Sequence, residues 1–234
     1  MKSGEATSVY GFLKSPSMVD FQGHLAAVFF TSGCNFACGF CHNAALMAKQ
    51  QAGLSWDRLK RAVENFQRNW VDGVVITGGE PTLAPDLGDL IEYFRARGLA
   101  VKLDTNGSRP DVLRELLPLV DLVAMDVKCS AEQYPGFVGF QEPDRIRESI
   151  RLIKEGAPAH EFRTTVLDSF HTDAEIERIG ALIASASRHV VQAFVPREDL
   201  PDPDLRTVPR TSPDRLSEVR QLLEPYVEKV VIRG

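Results

Sequence analysis

The sequence predicts an α/β protein built on a parallel sheet, on three observations. Short runs rich in Val, Ile, Leu and Phe occur at 25–31, 71–77, 99–104, 121–127, 161–167, 189–195 and 227–233. Such near-continuous apolar runs suit strands covered on both faces. Between them lie segments whose apolar residues fall at helical spacing. Strand then helix, repeated about six times, calls for a parallel sheet with helical crossovers. A closed eight-stranded barrel typically needs ~250 residues, and seven runs in 234 residues fall slightly short of that. An open or partial barrel fits, and so does a doubly wound sheet. In either, chemistry belongs at the carboxyl ends of the strands.

Taken in order, residues 1–24 precede the first strand and form a lead-in hairpin or arm. After the first strand comes a cysteine-rich loop. Leu59, Ala62, Val63, Phe66 and Trp70 mark the first helix, with Ser55 as its N-cap. Leu87, Leu90, Ile91 and Phe94 mark the next, with Pro85 near its start and Gly98 just past its end. Ile176, Ile179, Ile183 and Ala186 mark another, where Thr172 and Glu175 have the spacing of a capping box. Leu216, Val219 and Leu223 mark the last, with Pro213 in its first turn. Residues 196–213 hold Pro196, Pro201, Pro203, Pro209 and Pro213 and form a long loop, either a solvated connector or a contact surface. No linker divides the chain, so 1–234 is expected to be one domain.

Composition excludes several classes. Hydrophobic residues are 44% and charged residues 25%, enough for a sizeable core. The formal charge is −5, against a general nucleic-acid binder. The longest apolar run, Leu25 to Phe30, is far short of the roughly 20 residues that span a bilayer. Met1 to Glu5 lacks the apolar stretch of a signal peptide. The expected location is the cytoplasm, with neither nucleic acid nor membrane as partner.

The four cysteines are Cys34, Cys38, Cys41 and Cys129. Three of them lie on one short loop, spaced Cys-x3-Cys-x2-Cys, directly after the first strand. A reducing compartment points such a cluster of thiols to a metal or redox site. Three thiolates so placed can converge on one face of an iron–sulfur cube and leave one iron open. A closed zinc site wants four ligands, often as two pairs, and no second pair is present. A zinc-binding interaction module is the non-enzymatic alternative. Cys129 is expected to be a buried thiol. His42 suits a bracing or partner-facing role better than ligation.

Three further strands end in polar clusters. Gly78-Gly79-Glu80-Pro81 places glycines where a backbone approaches a ligand and Glu80 where it accepts from an ammonium. As a bare segment it is also an ordinary strand-to-helix turn. Asp104-Thr105-Asn106-Gly107 carries three polar side chains before a turn glycine. Asp126-Val127-Lys128 places an acid and a base together. Arg163, among apolar neighbours, is a bidentate donor suited to a carboxylate. Gln192 is a candidate for the same pocket, and Phe194 for the core.

The cysteine motif, with aromatic Phe40 before its third cysteine, resembles the radical S-adenosylmethionine superfamily. The resemblance implies a partial (open) βα barrel with about six parallel core strands. It implies a 4Fe-4S cluster held by Cys34, Cys38 and Cys41, with Phe40 beside the cofactor. S-adenosyl-L-methionine chelates the fourth iron in that family, and its reductive cleavage releases a 5′-deoxyadenosyl radical. By the same resemblance Gly78, Gly79, Glu80 and Pro81 hold the methionine amino group. Asp104, Thr105, Asn106, Asp126, Lys128 and Arg163 line the cofactor site, and a monovalent cation lies near Asp104 and Asp126. Cys41-His42-Asn43 and both aspartate motifs resemble glycyl-radical-enzyme activases. This chain lacks a cysteine-rich insert, so one cluster is expected.

From Gly11 to Val231 the chain is similar to activating proteins of the anaerobic ribonucleoside-triphosphate reductase, with Phe21-Gln22-Gly23 where Tyr-Pro-Gly is common. That implies hydrogen abstraction from a glycine of this reductase, with an electron donor such as flavodoxin or ferredoxin. Another glycyl-radical enzyme, a peptide or a small molecule is the alternative target.

Overall fold

The computed structural model describes residues 5–48 and 53–233. Of the stretch Met1 to Glu5 read above, residues 1–4 lie outside the described residues. Eight strands form one sheet whose order follows the sequence. They are β1 (Val9–Phe12), β2 (Ala26–Thr31), β3 (Gly73–Gly78), β4 (Ala100–Thr105), β5 (Leu122–Asp126), β6 (His160–Val166), β7 (His189–Ala193) and β8 (Val230–Arg233). β2 to β8 are parallel, so seven parallel strands stand where about six were expected. β1 is the lead-in, antiparallel to β2. Its outer edge is covered: Thr7 N donates to Leu54 O and Leu54 N to Val9 O, both at 2.7 Å.

This order decides between the two architectures the periodicity left open. A doubly wound sheet reverses its strand order at a switch point, whereas here each strand lies beside its sequence neighbour. β8 does not pair back with β1, so the barrel is open. Hydrogen bonds span the opening at both ends. Arg188 donates to Gln22 Oε1 at 2.6 Å at the amino end of the strands, and Asp202 N donates to Gly39 O at 3.1 Å at the carboxyl end.

The crossover helices are α1 (Trp56–Arg68), α2 (Leu87–Arg95), α3 (Pro110–Leu116), α4 (Tyr134–Val138), α5 (Pro143–Gly156), α6 (Asp173–Leu182) and α7 (Pro213–Leu223). The α3 and α5 crossovers were not among the helices expected from apolar spacing. α3 is only seven residues long, and α5 buries three isoleucines, Ile146, Ile150 and Ile153, among charged residues. The caps behave as their residue types demand. Ser55 Oγ accepts from Arg58 N and Ser212 Oγ from Arg215 N. Thr172 accepts from Glu175 N, but Glu175 does not complete a capping box. Its carboxylate instead takes Ser130 N at 2.5 Å and Ser130 Oγ at 3.0 Å, fastening α6 to the loop after β5.

Strand alternation sorts the two cores. Outward residues such as Phe29, Ile76, Leu103 and Phe162 pack under the helices with Leu59, Leu90 and Phe94, all fully buried. Inward, a small apolar plug of Phe21, Ala26, Val28 and Val75 fills the β2–β3 side. The β4–β6 side is charged instead. Lys102 and Asp104 alternate inward along β4, and Glu161 and Arg163 along β6. Trp70 leaves the apolar stripe of α1: the helix ends two residues earlier and the ring is 88% exposed. Val71 is buried in its place.

Candidate active site

A cavity of about 280 Å³ opens at the carboxyl ends of the central strands, where α/β chemistry is expected. One wall is the loop after β2. Four backbone hydrogen bonds shape that loop: Gly33 N to Leu46 O, Cys34 N to Met47 O, Ala37 N to Val138 O and Cys41 N to Cys38 O, at 2.8–3.2 Å. All three of its thiols, Cys34, Cys38 and Cys41, thereby line the cavity. Among the described residues, no three His, Cys, Asp or Glu side chains converge on a single ion position. A cube takes each thiolate on a separate iron and does not need the three sulfurs on one ion. Burial pushes all three thiols up, Cys38 to about 12. Loading a metal on them must therefore release protons.

Phe40 stacks on Phe137 at 5.1 Å and lies 5.8 Å from Lys128 Nζ. His42 lines the cavity, and its Nε2 donates to Val195 O at 2.9 Å, bracing the loop against the β7 end. Cys129 is fully buried, as expected.

Gly78 and Gly79 also line the cavity, but their lack of side chains serves another contact. A Cβ on Gly78, which sits at φ +123°, would lie 2.2 Å from Thr31 O, and one on Gly79 would lie 2.2 Å from Gly33 O. The two glycines let the β3 end lie against the root of the cysteine loop. Pro81 borders the cavity, whereas Glu80 is 1% exposed and does not. The carboxylate expected to receive an ammonium is engaged within the chain here. Its Oε1 accepts from Thr82 N, Thr82 Oγ1 and Thr105 Oγ1, and its Oε2 from Asn106 N, at 2.5–3.1 Å. Burial pushes its carboxyl up, and those four donors work against the rise. Glu80 is a cross-link between the β3 and β4 ends.

The opposite wall carries Asp104, Thr105, Asn106, Asp126, Lys128 and Arg163. Arg163 lies between the two acids, with Nη1 at 3.1 Å from Asp104 and Nε at 2.7 Å from Asp126. Lys102 Nζ lies 3.1 Å from the other Asp104 oxygen, and Lys128 Nζ 2.9 Å from the other Asp126 oxygen. Burial opposes ionisation of both acids, but these cations outweigh it and hold the carboxyls below the usual range. All four carboxylate oxygens thus face a cationic nitrogen, three cations against two acids. Asp104 Oδ1, beside Lys102, has no hydrogen-bond partner among the described residues. Lys102 and Glu161 were not singled out from the sequence. Their signal was the two-residue spacing to Asp104 and Arg163 inside strands otherwise read as apolar. Gln192 borders the cavity, and Phe194 is fully buried in the core.

An open parallel barrel with three thiols at its carboxyl mouth defines a class. Residues 28–183 match the Radical SAM superfamily, and the chain belongs to it. Within that superfamily it belongs with the glycyl-radical-enzyme activases. It is 32% identical over 225 residues to a Methanocaldococcus jannaschii protein provisionally named a glycyl-radical enzyme activating enzyme, covering 93% of this chain and 92% of that one. A second protein of that organism and name is 27% identical over 76% of this chain and 70% of its own length. Among solved structures, a domain of pyruvate-formate lyase-activating enzyme from Bacteroides vulgatus superposes with a TM-score of 0.56 at 23% identity. It covers 69% of this chain and 99% of that one. Streptococcus suis SuiB bound to S-adenosylmethionine gives 0.65 at 16% identity, over 86% of this chain and 48% of that one. These two share the fold. Among the described residues, no helix is long and apolar enough to cross a membrane.

Proposed function

We propose that this chain is a radical S-adenosylmethionine enzyme that abstracts hydrogen from a glycine of anaerobic ribonucleoside-triphosphate reductase. The observation that carries the reading is the pairing of two walls across one cavity: three soft thiol donors face two half-buried cationic side chains, Lys128 and Arg163. The donor set fits both groups the family uses. Thiolates suit iron–sulfur ligation, and Lys128 and Arg163 suit the carboxylate of an amino-acid moiety. Cys34, Cys38 and Cys41 would hold the 4Fe-4S cluster. Phe40, Gly78, Gly79, Pro81, Asp104, Thr105 and Asn106 would border S-adenosylmethionine. When bound, the reduced cluster supplies the electron that breaks the sulfonium bond. The chain's own part is to orient and enclose: Asp104 and Asp126 hold Arg163 at the cavity, and Phe40 shields one side. We read residues 1–234 as a single such domain, because one continuous sheet carries the strands from 9 to 233. The reductase is favoured as target by the similarity from Gly11 to Val231, and a flavodoxin or ferredoxin as the electron source.

Anaerobic reconstitution tests this. The wild-type chain should be brown, bind about four irons and release 5′-deoxyadenosine under reduction. Cys38→Ala should stay folded and lose that cleavage. Cleavage retained in Cys38→Ala would overturn the ligand assignment. Addition of the reductase should give a stable glycyl-radical doublet by electron paramagnetic resonance. Free 5′-deoxyadenosine without a doublet would move the activity to another substrate.

A further inference from the structure

Asn106 sits at the β4 end, 6% exposed, and is held at its backbone N–H and at both polar ends of its side chain. Its backbone N–H donates to Glu80 Oε2 at 2.6 Å. Its Oδ1 accepts from Ser108 N at 2.9 Å. That bond settles the orientation of the amide, because a backbone N–H only donates and must face an oxygen. Nδ2 is therefore turned the other way, where it lies 3.8 Å from Cys34 Sγ and 3.0 Å from Asn35 Oδ1. Asn35 Oδ1 is shared, since it also accepts from Ser108 Oγ at 3.2 Å.

From this geometry we infer that Asn106 is a positioning residue that donates an N–H···S hydrogen bond to the Cys34 thiolate and raises the reduction potential of the cluster. The inference rests on the reading that Cys34 is a cluster ligand. A donor aimed at a ligating sulfur stabilises negative charge there, and hydrogen bonds to the sulfurs are among the levers that set cluster potential. The reduced cluster carries one more negative charge than the oxidised one, so the donor favours the reduced form. Glu80 gains a purpose by the same arrangement. Buried and turned from the cavity, it anchors the backbone of the residue that reaches the sulfur.

The experiment is an anaerobic redox titration of the reconstituted chain, followed by electron paramagnetic resonance without S-adenosylmethionine, with iron counted in each sample. Asn106→Leu keeps the side-chain volume close and removes the donor. At a fixed potential its reduced-to-oxidised ratio should fall about threefold, roughly 28 mV at 59 mV per decade. Asn35→Ala removes the competing acceptor and leaves Nδ2 to the sulfur, so its ratio should rise. A loosened loop would lower both. An unchanged ratio in Asn106→Leu, or a fall or no change in Asn35→Ala, overturns the inference. Should Asn106→Leu fail to load iron, Asn35→Ala decides alone. A wild-type chain that assembles no cluster would instead sink the ligand assignment itself.

Discussion

At Trp70 the backbone sits at φ +65°, a conformation that costs an L-residue roughly 1–2 kcal/mol. The reason lies in how α1 stops. Trp70 N donates to Gln67 O and Val71 N to Phe66 O, both at 3.2 Å, which is the Schellman pattern of a helix end. That pattern wants glycine at the left-handed position, and α2 has it: Gly98 sits at φ +71° with Leu99 N on Phe94 O. Trp70→Gly should relieve the strain and lose no core packing. The expected gain is about 1 kcal/mol, read as a melting temperature about 2–4 °C higher. An unchanged or lower melting temperature would show that the exposed ring contributes to the fold. The helical spacing was legible at Trp70, but the stop was not, because a Schellman end without glycine leaves no residue signal. Glu80 shows the complementary limit. Its motif was legible, but which way the carboxylate turns depends on Thr82, Thr105 and Asn106, residues that only the fold assembles around it.

Among the elements, the proline-rich segment after β7 turns out to be a fitted strap. Leu200 is fully buried, Arg206 donates twice to Leu200 O, at 2.7 and 3.0 Å, and Asp202 Oδ1 accepts from Asp204 N at 2.9 Å. The strap meets the cysteine loop at Gly39, where a Cβ would lie 2.8 Å from Asp202 Cβ. Gly39→Ala should push the two apart, at roughly 1–3 kcal/mol for overpacking. Strap opening should then become at least about fivefold more frequent. Limited proteolysis within 196–213 and iron loss to a chelator should both quicken. Wild-type rates for both would mean that the strap gives way without detaching. The sequence left this segment open between connector and contact surface, because prolines mark a loop but do not say what it lies against.

Across the whole molecule, the barrel interior holds one connected run of charge. Arg188 and Arg233 lie 3.4 and 3.5 Å from Glu161, which faces Lys102 at 3.9 Å. Lys102 meets Asp104, and Arg163 and Lys128 complete the path through Asp126 to the cavity. On the helix-facing side of the sheet His189 is fully buried, and its Nε2 lies 3.0 Å from Thr164 Oγ1. Burial lowers its pKa to about 3. The unfolded chain takes that proton near pH 6.5, whereas the folded chain does not until about pH 3. Stability from this group is therefore present above pH 6.5 and falls as the pH drops, by about 2 kcal/mol between pH 7 and pH 5. The depressed carboxyls of Asp104 and Asp126 add a further loss below roughly pH 3.9. Urea unfolding at pH 7 and pH 5 checks this. The wild-type difference should shrink in His189→Gln, and an equal difference in both chains would assign the proton elsewhere.

What the sequence determined by itself was local in origin. Apolar runs placed seven of the eight strands to within a few residues, since strands covered on both faces must be apolar. Cysteine spacing on one loop was enough to point to a metal or redox site, since three thiols at most seven residues apart share one neighbourhood. The tertiary structure alone decided what depends on distant neighbours. Strand order made the sheet an open barrel, which periodicity cannot report because it carries no information on which strands pair. Curvature brought Lys102, Asp104, Asp126, Glu161 and Arg163 from three strands into one lumen, where acids and bases pair. That closure set Arg163 between the two acids, and it turned the Asn106 amide toward the Cys34 sulfur.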